Sequence, residues 1–129
     1  MKAFVTGGAG FIGSNLVDEL LNQNYEVICL DRNENGHWNT DAENHVGDVC
    51  DFSLVSKLMS GVDFVFHLAA DVKIGECIEN PISCYQNNVV GTAVTLQASR
   101  DSGVKKFIFS STSAIYKSGW RVFPEKAPE

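Results

Sequence analysis

The apolar residues of this chain fall into short runs separated by longer stretches of helical period. Ala3-Phe4-Val5, Val27-Ile28-Cys29-Leu30 and Phe107-Ile108-Phe109 are such runs, and Asp63-Phe64-Val65-Phe66-His67 is nearly continuously apolar. A continuous apolar run of this length reads as a parallel strand buried on both faces. The pattern predicts strands at 2–6, 26–30, near 46, 63–67 and 106–110. Between them it predicts a helix over 11–22, with Ile12, Leu16, Leu20 and Leu21 on its buried side. A short helix over 52–59 ends at Gly61. A long helix over 81–101 starts with Asn80 as N-cap and Pro81 at N1, and Gly103 stops it. Along it Ile82, Tyr85, Val89, Val90, Ala93 and Leu96 recur at helical spacing. At 1.5 Å per residue such a helix is about 30 Å long. Its valines and threonines lower its intrinsic propensity, so packing must hold it.

The elements alternate β, α, β, then β, α, β, α, β. That order implies a parallel sheet with right-handed crossovers and helices on both faces. The expected fold class is α/β, a doubly wound sheet of the Rossmann type with strand order 3-2-1-4-5. Polar residues dominate 32–44, which reads as a loop. Its Trp38 has two readings: a cover for an adenine edge, or a ring packed on its own domain. From Lys117 onward the pattern fades into a Pro- and charge-bearing tail.

The first strand runs into Thr6-Gly7-Gly8-Ala9-Gly10-Phe11-Ile12-Gly13, which opens the first helix. A glycine turn at a helix N-terminus aims backbone N–H groups at a phosphate. Gly7 permits the tight turn, Gly10 the close approach of a pyrophosphate, and Gly13 the close packing of helix on strand. Asp31 ends the second run eighteen residues after Gly13, where a carboxylate accepts hydrogen bonds from a ribose diol. No Lys-Ser or Lys-Thr follows the glycines, which argues against a P-loop. Two alternatives stay open on these features alone. One is a βαβ turn with no ligand and a solvated aspartate; the other is a fold for a methyl-donor nucleotide. Leu68-Ala69-Ala70 then places small residues at the carboxyl end of the fourth strand, the edge where doubly wound sheets bind ligands.

Composition narrows the classes. The chain has 129 residues, the size of one domain, and can bury roughly two-thirds of its unfolded surface. Ten basic and sixteen acidic residues give a net charge of −6, with no basic stripe for a nucleic-acid backbone. No apolar stretch reaches the length of a membrane span or a secretory signal. The four cysteines, Cys29, Cys50, Cys77 and Cys84, contain no Cys-x-x-Cys pair, so no metal site is expected. Their spacing reads as reduced thiols in a soluble cytoplasmic protein.

Taken in order, the motifs resemble those of the extended short-chain dehydrogenase/reductases, especially the NAD-dependent sugar epimerases and dehydratases. The resemblance rests on the glycine turn from Thr6 to Gly13, Asp31, Gly47-Asp48-Val49, His67-Leu68-Ala69-Ala70 and Asn88-Val89-Val90-Gly91-Thr92. Phe107-Ile108-Phe109-Ser110-Ser111-Thr112-Ser113-Ala114-Ile115-Tyr116 is similar to the family's Ser-rich fifth strand. A methyltransferase has no reason to carry the last three.

The resemblance implies roles position by position. Phe11 and Ile12 offer backbone N–H groups to the pyrophosphate. Asp31 binds the adenosine ribose, favouring NAD over NADP, while the adjacent Arg32 leaves NADP open. Asp48 and Val49 edge the adenine; Leu68, Ala69 and Ala70 line the path to the nicotinamide ribose; Asn88 hydrogen-bonds near the cofactor. Thr112 matches the catalytic Ser/Thr, and Ser111 takes that place if the alignment slips by one. The implied substrate is a nucleotide-sugar, oxidised to a keto-sugar by hydride transfer, with a tyrosine and lysine managing the proton.

The chain departs from the pattern near its end, where Lys117 stands in place of the family's usual Gly. It contains no Tyr-x-x-x-Lys pair: four residues after Tyr116 stands Trp120. By resemblance that pair and the substrate lobe lie beyond Glu129. The expectation is therefore the NAD-binding amino-terminal portion of such an enzyme, truncated after the fifth strand and inactive alone. A homo-oligomer built on helix 81–101 or strand 106–110 is expected with it. A non-catalytic dinucleotide-sensing module and a remnant that binds nothing are the alternatives.

Overall fold

A computed structural model of the chain describes residues 1–112. The expected segment 113–116 and the tail from Lys117 lie outside the described residues. Five strands form one parallel sheet in the order β3-β2-β1-β4-β5. They are β1 (Lys2–Thr6), β2 (Glu26–Asp31), β3 (Glu43–Val46), β4 (Phe64–His67) and β5 (Lys106–Phe109). The strand order is the one read from the alternation of elements.

β1 lies in the middle of the sheet. Val5 pairs with Cys29 of β2 on one side and Phe66 of β4 on the other. Successive side chains alternate between faces. Phe4 joins Ile28, Leu30 and Val65 in one core cluster. Ala3 and Val5 join Val27 and Cys29 in the other. Both faces are covered, which is why these strands carry apolar residues without alternation.

Helix α1 (Phe11–Asn22) covers the second cluster through Val17 and Leu20. Its buried stripe is Gly13, Val17 and Leu20, flanked by the half-buried Leu16 and Leu21. Ile12, expected inside, is 64% exposed. The helix meets the turn at Gly13, where a position without a side chain comes closest, and Ile12 is rotated away. Helix α2 (Phe52–Leu58) contributes Val55 and Leu58 to the first cluster. Asp51 caps it: its Oδ1 accepts the Leu54 N–H at 3.0 Å. Asp51→Ala is expected to lower stability by about 1 kcal/mol, read as a shift of the urea midpoint at constant slope.

The long helix differs from expectation in three respects. First, a separate helix α3 (Ile74–Glu79) precedes it. Second, the stretch is α4 (Pro81–Tyr85), a π-helical segment Gln86–Val90, and α5 (Gly91–Asp101). Pro81 takes N1, but the Asn80 side chain makes no cap bond. Third, its faces are inverted. The buried residues are Asn87, Gly91, Thr95, Ala98 and Ser99, whereas Ile82, Tyr85, Val89 and Leu96 are exposed. Small and hydroxyl side chains let the helix approach closely. A Cβ on Gly91 would stand 2.6 Å from Val49 Cγ2. Thr95 and Ser99 satisfy their hydroxyls by donating to the carbonyls of Gly91 and Thr95, at 2.8 and 2.7 Å.

The cysteine reading is also corrected. Cys77 of α3 and Cys84 of α4 are joined as a disulfide, with Cα atoms 5.2 Å apart. The two helices meet at Asn80, so a seven-residue spacing that matches no Cys-x-x-Cys motif still brings the sulfurs together. Cys29 and Cys50 are free. Burial, and then the Asp31 carboxylate, push the Cys29 thiol up to about 12, which keeps it an inert core group. No helix among the described residues is long and apolar enough to cross a membrane. No group of three His, Cys, Asp or Glu side chains among them is placed to hold a metal.

Candidate functional site

The glycine turn sits where β1 hands the chain to α1. Gly7 adopts a left-handed backbone, φ +71°, that favours glycine. Its N–H donates to the Leu30 carbonyl at 2.8 Å. A Cβ there would lie 2.8 Å from the Ala69 nitrogen and 2.9 Å from the Leu68 carbonyl carbon. The turn is thus pressed against the segment that follows β4. Gly10 is the N-cap of α1 and supplies no side-chain cap, leaving first-turn amides without helical partners.

Asp31 stands opposite. Its Oδ2 accepts the Ala9 N–H at 3.1 Å and its Oδ1 the Asn33 N–H at 2.9 Å. Each carboxylate oxygen keeps a lone pair for a further donor. Between turn and carboxylate lies a cleft of about 220 Å³. Gly7, Gly10, Asp31, Arg32, Asp48, Val49, Leu68, Ala69 and Ala70 all line it. Of the other residues singled out in the sequence, the Phe11 and Ile12 side chains are exposed and do not line the cleft, and Gly13 packs behind the turn. Leu30, Asn33, Gly47 and Asn87 also line it and were not picked out; Gly47 stands inside a motif already quoted.

A second cleft, of about 580 Å³, adjoins the first and shares Leu68, Ala69 and Ala70 with it. Asn88, Ser111 and Thr112 line this one. The Asn88 side chain clamps the backbone of Asp71: Oδ1 accepts its N–H at 2.7 Å and Nδ2 donates to its carbonyl at 3.0 Å. Asp71 in turn pairs with Arg32, tying the walls of the two clefts together.

His67 fixes the shared wall from behind. It is 1% exposed. The Asn88 carbonyl only accepts, so the Thr92 hydroxyl donates to it at 2.7 Å and takes the Nε2–H of His67 at 3.0 Å. Nδ1 then accepts from Thr6 Oγ1 at 2.8 Å, and that oxygen accepts the Ala69 N–H at 3.2 Å. One neutral tautomer satisfies the whole chain of bonds. Burial holds the imidazole pKa down to about 4. His67 and Thr92 were legible only as members of quoted motifs. Their role depends on three elements meeting, which spacing alone does not reveal.

Trp38 donates its indole N–H toward the carbonyls of Asn33 and Glu34, each at 3.2 Å, and packs on the α1 face of the core. Lys73 pairs with Glu76 at 2.7 Å on the surface.

The model of the NAD dependent epimerase/dehydratase family matches residues 3–128. The chain belongs to this family. Among its epimerase relatives, UDP-glucose 4-epimerase of Halalkalibacterium halodurans is 42% identical over 90% of the chain. That of Lactobacillus helveticus is 39% identical over 99%. The chain spans 36% and 39% of the lengths of these two epimerases. Solved epimerase structures share the fold. UDP-glucose 4-epimerase of Thermotoga maritima with UDP-glucose superposes with a TM-score of 0.86, at 38% identity, over 96% of this chain and 42% of that one. The Thermus thermophilus enzyme in complex with NAD gives 0.86 at 33% identity, over 100% and 44%.

Proposed function

We propose that this chain is the NAD-binding portion of a nucleotide-sugar epimerase or dehydratase that works through a keto-sugar. One observation carries the proposal: two adjoining clefts share the wall 68–70, with Asp31 in one and Asn88 and Thr112 in the other. A dinucleotide has two halves of different chemistry, and such a pair of clefts accommodates one in each. The residues present fit that group. The uncapped N-terminus of α1 offers amides to a pyrophosphate, and Gly7 and Gly10 put no side chain in the way. Asp31 takes the adenosine ribose hydroxyls; Asp48 and Val49 flank the base.

NAD, when bound, supplies the hydride acceptor. Thr112 holds the sugar hydroxyl by its own hydroxyl, which both donates and accepts, with Ser111 beside it as the alternative. Asn88 and His67 keep the shared wall in place. The 129 residues contain no Tyr-x-x-x-Lys pair to move the proton, so the chain alone binds cofactor without turning over UDP-glucose. The exposed apolar side chains Tyr85, Val89 and Leu96 support a homo-oligomer built on the stretch 81–101.

Native mass spectrometry with NAD or NADP tests the proposal and reads the oligomeric state in the same spectra. The expected result is one NAD per chain, bound in preference to NADP, with Asp31→Asn weakening NAD by roughly tenfold or more. A folded chain that takes up neither dinucleotide refutes it. Equal affinity of the Asp31→Asn variant removes the assignment of the carboxylate to the ribose.

A further inference from the structure

We propose that Cys77 and Cys84 form a reversible thiol–disulfide site that sets the order of the cleft walls. α3 and α4 have six and five residues, and neither contains a buried one. Helices this short do not persist on local bonding alone. The apolar side chains of this segment, Ile74, Ile78 and Ile82, are exposed and do not anchor it. The covalent bridge between Cys77 and Cys84 therefore provides the main tie holding the two helices together.

The bridge is connected to the site by direct contacts. Cys84 Sγ accepts a hydrogen bond from Asn88 Nδ2 at 3.4 Å. The same amide group clamps the backbone N–H and carbonyl of Asp71. Asp71 holds Arg32, which lines the first cleft. The sulfurs are also reachable. Both cysteines are half-buried, and they line a surface cavity of about 350 Å³ together with Arg32, Asp71 and Asn80. The bridged state thus fixes Asn88 and, through it, the walls of both clefts.

The reductant is a dithiol. One of its thiolates attacks a sulfur of the bridge, breaking the Cys77–Cys84 bond and forming a mixed disulfide. The second thiol of the reductant then closes on the first. Cys77 and Cys84 end as two thiols, having gained two electrons and two protons, and the dithiol ends as a cyclic disulfide. Reduction frees 74–85 to unwind and releases Asn88 from its sulfur contact, so the cleft wall loosens. The consequence for ligand binding rests on the proposed function; the site itself and the loosening do not.

The test compares the air-equilibrated chain with the chain reduced by dithiothreitol. Maleimide labelling of the denatured chain should count two thiols before reduction, from Cys29 and Cys50, and all four after it. Amides in 70–90 should exchange with deuterium about tenfold faster after reduction, while those of β1 and β2 are unchanged. NAD affinity should fall about fivefold on reduction. Cys84→Ser should behave as the reduced chain and be insensitive to dithiothreitol. Four thiols in the air-equilibrated chain, or equal exchange in the two states, overturns the proposal. An exchange difference with equal NAD affinity overturns the control of the clefts. The exchange difference without NAD binding in either state supports the redox site and refutes the cofactor assignment alone.

Discussion

Gly13→Ala is expected to destabilise the chain by about 3 kcal/mol, a large share of the total stability of a domain this size. A Cβ at Gly13 would overlap the Gly7 carbonyl oxygen and stand 2.8 Å from both Gly7 C and Gly8 Cα. All three are backbone atoms, so no side-chain rotation relieves the clash. Either the turn opens or α1 lifts from the sheet, and lifting uncovers Val17 and Leu20, which are buried beneath it. Gly61→Ala is the matched control. Gly61 sits at positive φ, but a Cβ there meets nothing within 4 Å, so only the backbone cost of about 1 kcal/mol applies. Urea titration of both variants measures the difference. Equal midpoints for the two would show that the contact of helix on turn is not what position 13 provides.

Acidification is expected to remove about 3 kcal/mol between pH 6.5 and 4 through His67 alone. The buried imidazole has its pKa lowered from 6.5 to about 4. In that window the unfolded chain binds a proton that the folded chain refuses, so stability falls as the pH falls. Above pH 6.5 the group is neutral in both states and its contribution is complete. The ring is enclosed by Thr6, Thr92, Phe107 and Phe109, with no charged partner among them to offset the cost. Asp63 and Asp101 are held below the ordinary aspartate range, because Lys105 and Gln97 respectively bond their carboxylates, and they lose their contributions only at lower pH. Denaturant titrations across the window should show one proton taken up on unfolding. His67→Gln should abolish that uptake. A flat profile in the unsubstituted chain would mean the imidazole charges freely in the folded state.

The inner strands and the first cleft were legible in the sequence from burial and steric constraints, and the strand order from the alternation of elements. A parallel strand buried on both faces carries a nearly continuous apolar run, and a glycine whose Cβ would strike backbone admits no substitute. Val27-Ile28-Cys29-Leu30 and Gly7 are such cases. The long helix defeats the same logic. Ile82, Tyr85, Val89 and Leu96 form a stripe at helical spacing, and a stripe is ordinarily the buried face. Here Gly91, Thr95 and Ser99 take that face, because small side chains shorten the distance to α2 and the hydroxyls bond back to their own helix. The disulfide and α3 were hidden because a bend at Asn80 brings distant positions together without leaving a periodic trace. His67 was visible as a letter in a motif, but its bonds to Thr6 and Thr92 exist only once three elements have met.

The central place of β1 also dictates a sequence of events in synthesis. This strand is made before the other four, yet one of its two neighbours is made about sixty residues later, as the pairing of Thr6 with His67 shows. Until then one edge of its backbone has no native partner, and Phe4 lacks Val65, one of its core neighbours. β1, α1 and β2 can associate early, but the sheet closes only when β4 slots in beside the oldest strand. Long-range pairing of this kind folds slowly and leaves a sticky edge in the meantime. The nascent chain is most at risk of association while residues 32–63 are being added.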